Sequence, residues 1–237
     1  MTEESRHPFW GYHDLALFVG AALPSMVLSV AIVMGVRKIA PQGGKTVDAI
    51  LFQFIGYAFW FLSLYALLRL RHGKPFWRSL SWAGNNRDIA VCLLSGPWLA
   101  LAVGWLGYLM GRPDGDIPMM EMLSDRWSII LIGLFAVSLG PLCEELAFRG
   151  FLMPLVTRSL GPAAGIVIAA APFAILHGPQ YGWSWRHVML VGLAGVGFGW
   201  ARHKTGSTAA ATAMHSTYNL TFLAGLIFSE GDRFRTW

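Results

Sequence analysis

Residues 127–150 read WSIILIGLFAVSLGPLCEELAFRG, and this stretch decides the fold class. The run 127–143 contains no charged side chain and is near the roughly 17 residues that cross the hydrocarbon of a bilayer. Glu144, Glu145 and Arg149 follow directly, ahead of the apolar FLMPLV. An ionised side chain near the bilayer centre costs about 2.5–3.5 kcal/mol on insertion scales. The chain therefore needs partners for these charges, or a use for them.

The rest of the chain has the same apolar character. Its 237 residues are 55% hydrophobic and 13% charged, with a mean hydropathy of +0.51, whereas soluble domains carry roughly 25% charged residues. Further runs without charge or histidine are 15–36, 49–68, 89–111 and 159–176; the last two candidates, one short and one interrupted by His215, are 188–201 and 205–229. The pattern predicts an all-α, multi-pass integral membrane protein of about seven transmembrane helices. An eighth is expected if 127–156 divides, since one helix would be roughly 45 Å long.

The basic residues indicate membrane topology rather than nucleic-acid binding. The net charge is +5, but Lys and Arg lie in short loops between the apolar runs, where the positive-inside rule accounts for them. Nucleic acid is therefore excluded as a partner, and the lipid bilayer is the expected environment, the cell membrane if the source is prokaryotic. Arg37 and Lys38 follow the first apolar run without a small-residue cleavage site. We expect that run to stay in the protein rather than to be removed as a signal peptide.

One membrane domain with four parts is predicted. The parts are a polar N-terminal tail, three transmembrane helices, a helical core with the candidate catalytic residues, and a C-terminal tail: 1–13, 14–126, 127–229 and 230–237. The core is rich in small residues. Gly161 with Gly165, and Gly195 with Gly199, have the spacing that lets helix backbones approach closely.

Strongly polar side chains are rare between the apolar stretches. Besides Arg149, they are Glu144, Glu145, His177, His215 and Asn219. On a helix Glu145 and Arg149 are four residues apart with the acid first, which predicts a stabilising ion pair. Glu144 then lies about 100° around the helix and is left for chemistry.

The histidines and the asparagine have ordinary interpretations as well. His177, followed by Gly-Pro, can cap a helix C-terminus. His215 and Asn219 share a helix face, where each can form a hydrogen bond between helices. Together with Glu144 they predict a water-activating site. The carboxylate takes a proton from water that a histidine holds, and an imidazole and an amide donate to the oxyanion.

The same side chains allow a metal mechanism. Glu144, His177 and His215 are a possible zinc ligand set that leaves one coordination position for water. The HExxH motif of soluble zinc proteases does not occur in the chain. The expected cofactor is therefore zinc or none, and metal-held and carboxylate-held water both stay open.

Three motifs in order carry a family resemblance. EELAFR (144–149), FAILH (173–177) and HSTYN (215–219) resemble the motifs EExxxR, FxxxH and HxxxN of the CAAX protease and bacteriocin-processing family of intramembrane peptidases, also called the Abi family. The resemblance covers residues 127–228. It implies an all-helical membrane endopeptidase with a polar catalytic cavity within the bilayer.

The resemblance also implies roles and substrates. Glu144 would be the general base and His177 would position water, while His215 and Asn219 would stabilise the oxyanion; the second glutamate and the arginine of EELAFR would support the site. The substrate would be a peptide or protein with a membrane-embedded or prenylated end. Eukaryotic relatives remove the last three residues of prenylated CAAX proteins, and bacterial relatives are linked to peptide maturation or bacteriocin self-immunity.

Two other functions use the same residues. A proton-coupled transporter can employ buried Glu and His side chains as a relay. A non-catalytic membrane immunity or binding protein would keep its function after Glu144→Gln. Neither alternative accounts for three motifs in the family's order.

Overall fold

The structure is a computed structural model that describes residues 7–41, 44–111, 117–123 and 125–229. Within these residues every regular element is helical, which confirms the all-α prediction. The predicted C-terminal tail (230–237) and the first six residues of the N-terminal tail lie outside the described residues.

The described residues form twelve α-helices, with short π-helical and 3₁₀ segments between some of them. The α-helices are α1 (Tyr12–Gly20), α2 (Ala22–Ile39), α3 (Lys45–Ala66), α4 (Phe76–Ser79), α5 (Asn86–Leu109), α6 (Pro118–Met122), α7 (Arg126–Val137), α8 (Leu139–Glu145), α9 (Met153–Leu160), α10 (Pro162–Leu176), α11 (Trp185–Thr205) and α12 (Thr208–Ser229). The π-helical segments are Leu67–Arg71 and Leu146–Leu152, and the 3₁₀ turn is Gly178–Tyr181.

Several helical stretches have the length and composition of membrane spans. Four qualify among the described residues: Tyr12–Ile39, Lys45–Arg71, Asn86–Leu109 and Arg126–Leu160. α10 is apolar but shorter. α11 and α12, with 21 and 22 residues, reach the roughly 30 Å of a bilayer core but fall outside the four. The protein is an integral membrane protein, and the count of seven or eight spans stays a prediction.

The chain divides into two compact units, residues 1–79 and 80–237. In the first unit α2 packs against α3, and α1 packs against both. The indole Nε1 of Trp60 donates to the carbonyl of Phe18 at 2.7 Å, and their rings stack. The buried Asp14 lies 3.2 Å from both Arg71 and His72. These contacts stabilise the first unit, which contains none of the predicted site residues.

The second unit includes α5, although composition had grouped that helix with residues 14–126. α5 packs against α12, and Gly96 is the reason: a Cβ there would lie 2.1 Å from Thr217 Oγ1 and 2.4 Å from the carbonyl oxygen of Met214. Small residues allow such close backbone approach between membrane helices. Composition along the chain does not indicate this pairing of α5 with α12, and the predicted division of the membrane domain at residue 126 stays a prediction.

The glycine pairs of the core behave differently from each other. Gly195 and Gly199 face α10 as predicted, since a Cβ on either would come within 3.0 or 3.1 Å of its side chains. Gly165 packs against α9, where its Cβ would meet Thr157 Oγ1 at 2.0 Å. The prediction that Gly161 is part of a helix packing face was wrong. Gly161 adopts φ +86° and lies between α9 and α10.

The stretch Arg126–Leu160 is a series of helical segments rather than one regular helix. α7 ends because Ser138 leaves the helical region, with φ −127° and ψ −84°. α8 contains Glu144 and Glu145, and Arg149 lies in the π-helical segment between α8 and α9. The helix is interrupted at Ser138, but Arg126–Leu160 still counts as one candidate span, so a division of 127–156 into two spans stays a prediction.

Candidate active site

A cavity of ≈ 530 Å³ lies inside the second unit. Its walls come from α5 to α8, α10, the 3₁₀ turn, α11 and α12. Four of the predicted site residues line it, namely Glu144, His177, His215 and Asn219. These polar groups stand among mostly apolar side chains, which is the usual composition of a small-molecule or substrate pocket.

Glu145 and Arg149 are fully buried behind the cavity wall, and they form the predicted ion pair. Nη1 of Arg149 donates to Oε1 of Glu145 at 2.8 Å, four residues apart. The Nδ1 atom of His215 lies 3.0 Å from the same oxygen. Since an ionised carboxylate only accepts hydrogen bonds, we place a proton on Nδ1 of His215, which donates it to Glu145. Glu145 therefore orients His215 as well as pairing with Arg149, which the sequence did not predict.

Arg149 contacts both α10 and α11 around the ion pair. Its Nη2 donates to the carbonyl of Gly195 in α11 at 2.7 Å. Its guanidinium lies 4.5 Å from the ring centroid of Phe173 in α10 and 5.4 Å from that of Phe198 in α11. The Phe198 ring stacks on His215 with centroids 4.3 Å apart. A buried cation with these contacts is held in one place, because both its charge and its planar faces are matched.

Arg149 lies in the π-helical segment Leu146–Leu152. A π-helical turn inside an α-helix is rare and occurs often at functional sites. It changes the angle at which successive side chains leave the helix. Here it lies between the carboxylates of α8 and the packed start of α9.

Glu144 points to the cavity, and its side chain is 19% exposed whereas that of Glu145 is 0% exposed. Its Oε2 lies 3.8 Å from Nε2 of His215. This separation is longer than a direct hydrogen bond. The two carboxylates therefore face opposite nitrogens of one imidazole.

His177 follows the last residue of α10, as predicted, and its ring does cap the helix. Nδ1 lies 2.7 Å from the carbonyl oxygen of Phe173, one of the last four carbonyls of the helix. We place a proton on Nδ1 of His177, because a carbonyl oxygen only accepts hydrogen bonds. Nε2 is then left with its lone pair, on a ring that lines the cavity.

Asn219 makes the hydrogen bond between helices that was one of its two predicted uses. Its Nδ2 donates to the carbonyl of Ala136 at 2.7 Å. Ala136 is within the last turn of α7, where carbonyls lack intrahelical partners because the helix breaks at Ser138. One N–H of the amide is thus engaged, and the same amide group carries a second N–H at the cavity wall.

The predicted zinc ligands do not form a compact group. Among the residues that the structure describes, no three His, Cys, Asp or Glu side chains are arranged to hold a metal ion. Glu144, His177 and His215 line one cavity without such an arrangement. Zinc held by these three side chains therefore stays an alternative prediction.

The cavity also contains polar residues that the sequence analysis did not select. Gln180 and Tyr181 come from the 3₁₀ turn, and Arg186 and His187 from the first turn of α11. The rings of Tyr181 and His187 stack, with centroids 4.7 Å apart and planes 6° from parallel. Burial, together with the Glu144 carboxylate, raises the pKa of the Tyr181 hydroxyl, which therefore stays a donor at neutral pH. The signal in the sequence was the cluster of polar residues directly after FAILH.

Comparison with known proteins agrees with the motifs. Residues 126–221 match the family model described as Rce1-like, type II CAAX prenyl endopeptidase. All three predicted motifs lie inside this region, so the predicted family resemblance is confirmed there. The match supports a peptidase that acts on a peptide in a membrane setting. No curated protein and no solved structure matches the chain.

Proposed function

Because residues 126–221 carry an Rce1-like domain of the type II CAAX prenyl endopeptidases, we propose that the protein is a multi-pass intramembrane endopeptidase. It hydrolyses a peptide bond in a substrate with a membrane-embedded or prenylated end. The observation that supports this most is the meeting of Glu144, His177, His215 and Asn219, from three separate segments, on one cavity. These groups supply a base, a water-binding atom and donors for an oxyanion.

Glu144 is the general base in this mechanism. A water molecule held between its carboxylate and Nε2 of His177 gives a proton to Glu144 and attacks the substrate carbonyl. When the tetrahedral intermediate collapses and the C–N bond breaks, Glu144 returns that proton to the leaving amine. The Nδ1–H of His177 is engaged by the Phe173 carbonyl, so Nε2 presents a lone pair to that water. General base catalysis of this kind contributes about 10²- to 10⁴-fold.

His215 and Asn219 stabilise the oxyanion that forms. With its Nδ1 proton directed to Glu145, His215 donates from Nε2 when the ring is the imidazolium. The Glu145 carboxylate balances that charge from the Nδ1 side, because Glu144 holds the proton of the water at this stage. Asn219 donates its second amide N–H. Removing one such donor from an enzyme typically reduces kcat about 10²- to 10³-fold.

Glu145 and Arg149 are positioning residues rather than groups that touch substrate. Both are fully buried, and Glu145 contacts the site through His215. Arg149 fixes Glu145, Glu145 fixes the His215 ring, and the ring then presents Nε2 to the cavity. This order of contacts resembles an acid that orients a catalytic histidine in a hydrolase triad.

The direct test is cleavage of internally quenched prenylated and membrane-embedded peptides by the purified protein in phosphatidylcholine liposomes. Glu144→Gln should reduce cleavage by about 100-fold or more. Glu121→Gln is the matched control, because Glu121 is exposed on α6 and does not line the cavity. Glu144→Gln protein that cleaves at the wild-type rate would contradict the mechanism. Proton or solute flux without cleavage would instead favour the transporter.

A further inference from the structure

A second recess lies in the first compact unit, apart from the active-site cavity. Its volume is ≈ 450 Å³. Leu17 and Phe18 line it from α1, and the rest of its lining lies within residues 63–71, at the end of α3 and in the π-helical segment that follows. We call this recess the α1–α3 groove. Most of its lining side chains are apolar, and the polar ones are Ser63 and Arg71.

The polarity of the α1–α3 groove is concentrated at Arg71. The Ser63 hydroxyl donates to the carbonyl of Trp60 at 2.6 Å, so this donor is already satisfied within α3. Arg71 uses Nε toward Asp14 at 3.2 Å, and its two Nη groups donate to no residue that the structure describes. The Arg71 side chain is 53% exposed. The groove therefore has an apolar body and one cationic end with unused donors.

This cationic end coincides with the ends of two candidate membrane spans. Arg71 is the last residue of Lys45–Arg71, and Asp14 lies in the first turn of Tyr12–Ile39. Their contact places both span ends at the same depth. Ser63 precedes Arg71 by about two helical turns, which is roughly 12 Å. The apolar body therefore extends from the membrane surface toward the hydrocarbon, as an acyl chain does.

The chain around Arg71 has an excess of positive charge. Residues 69–78 contain no acid and four exposed basic side chains, which are Arg69, Arg71, Lys74 and Arg78. Within the described part of the chain, Arg71 alone among these four takes part in an ion pair. Clusters of this kind beside a membrane span bind anionic lipid headgroups. A choline headgroup would instead bring a cation toward the cluster.

We propose that the α1–α3 groove binds an anionic phospholipid, with an acyl chain along Leu17, Phe18 and Leu70 and the phosphate at the Nη groups of Arg71. The planar guanidinium matches two phosphate oxygens with parallel hydrogen bonds. Leu70 and Arg71 both belong to the π-helical segment Leu67–Arg71, a rare conformation that occurs often at functional sites. Membrane topology accounts for the charges of this loop but not for an apolar groove that ends at one of them. The proposal is independent of the peptidase function.

The test is native mass spectrometry of the full chain in a neutral detergent, titrated with phosphatidylglycerol or with phosphatidylcholine of identical acyl chains. Wild-type protein should bind the first phosphatidylglycerol about tenfold or more tightly than phosphatidylcholine, the value of one charge-assisted hydrogen bond. Arg71→Gln should bring this ratio close to one. Arg71→Lys should restore part of it, because lysine keeps the charge without the fork.

Arg78→Gln is the matched control for charge, since Arg78 is exposed on α4 and does not line the groove. It should keep most of the preference for phosphatidylglycerol. A wild-type ratio near one, or a high ratio that survives Arg71→Gln, would overturn the proposal.

Ala66→Phe tests the apolar body without changing a charge, because Ala66 lines the groove and a larger side chain would fill it. Phosphatidylglycerol should then bind about tenfold more weakly, whereas Ala31→Phe, at an exposed position of α2 outside the groove, should leave binding unchanged. Unfolding temperatures in lipid-free detergent show which variants are folded. If Arg71→Gln is not folded, Ala66→Phe decides the question.

Other occupants of the groove give different results. Displacement of phosphatidylglycerol by an equal concentration of glycerophosphoglycerol, the headgroup without acyl chains, would indicate an anion site alone and contradict the proposal. Dimers that bind neither lipid would indicate a second copy of the chain in the groove and would also contradict it.

Discussion

The Nδ1 atom of His215 lies 3.0 Å from Oε1 of Glu145, a contact between residues 70 positions apart. Glu145 receives Arg149 on the same oxygen, and the other nitrogen of His215 faces Glu144. The adjacent glutamates of EELAFR therefore have different tasks. Glu145 is fully buried against Nδ1 of His215, whereas Glu144 faces Nε2 of the same ring from the cavity.

The two glutamates should respond differently to the same substitution. Glu145→Gln leaves the fully buried Arg149 without its counter-charge, and breaking a buried pair typically destabilises a protein by about 3–5 kcal/mol. Glu144→Gln, at a partly exposed position, should reduce cleavage by about 100-fold or more with little effect on thermal unfolding. Unfolding curves in detergent compare the variants, and equal stability losses would contradict this division of tasks.

Arg149→Lys tests the positioning role of the arginine. Lysine keeps a charge near Glu145 but loses the second hydrogen bond to the Gly195 carbonyl and the flat contacts with Phe173 and Phe198. We expect kcat to fall about tenfold or more with KM nearly unchanged, because the His215 ring is less well oriented. A rise in KM with kcat unchanged would indicate a role in substrate binding instead.

Asn219→Ala removes both the proposed oxyanion donor and the hydrogen bond to the Ala136 carbonyl. Loss of an oxyanion donor should reduce kcat by about 10²-fold or more, and the unpaired Ala136 carbonyl should destabilise the protein by about 1–3 kcal/mol. Thr221→Ala is a suitable control, since the Thr221 hydroxyl donates to the Thr217 carbonyl within α12. Stability loss without loss of kcat would leave Asn219 as a link between helices alone.

Gly178→Ala should disturb the 3₁₀ turn Gly178–Tyr181, which contributes Gln180 and Tyr181 to the cavity wall. A Cβ at Gly178 would lie 2.5 Å from the ring of Trp183, which is itself held at φ 59°. Overpacking of this kind costs about 1–3 kcal/mol. Gly225→Ala is the control, because it is helical and its Cβ would meet nothing within 4 Å. Equal unfolding temperatures for the two variants would contradict the expected clash.

Metal dependence separates the two kinds of activated water. With carboxylate-held water, cleavage should persist after treatment with a zinc chelator, and metal analysis of the active protein should find no stoichiometric zinc. Activity that is lost on chelation and returns with added zinc would favour the ligand set Glu144, His177 and His215 instead.

Part of the site could be predicted because it depends on local geometry. The ion pair between Glu145 and Arg149 follows from a spacing of four on a helix, and the position of His177 follows from the Gly-Pro that ends α10. Gly161 shows the limit of such patterns. Its spacing suggested a packing face, but the chain uses it at φ +86° between two helices.

The sequence by itself determined that the chain is helical, that it is apolar enough for a membrane, and which polar residues stand out. These properties depend on composition and on neighbours within a few positions. The tertiary structure decided which residues meet: His215 with Glu145, Asn219 with Ala136 at a separation of 83, and α5 with α12 through Gly96. Arg186 and His187 became part of the cavity in the same way. Such contacts depend on how closely helix backbones approach, and that distance is set jointly by many side chains far apart along the chain.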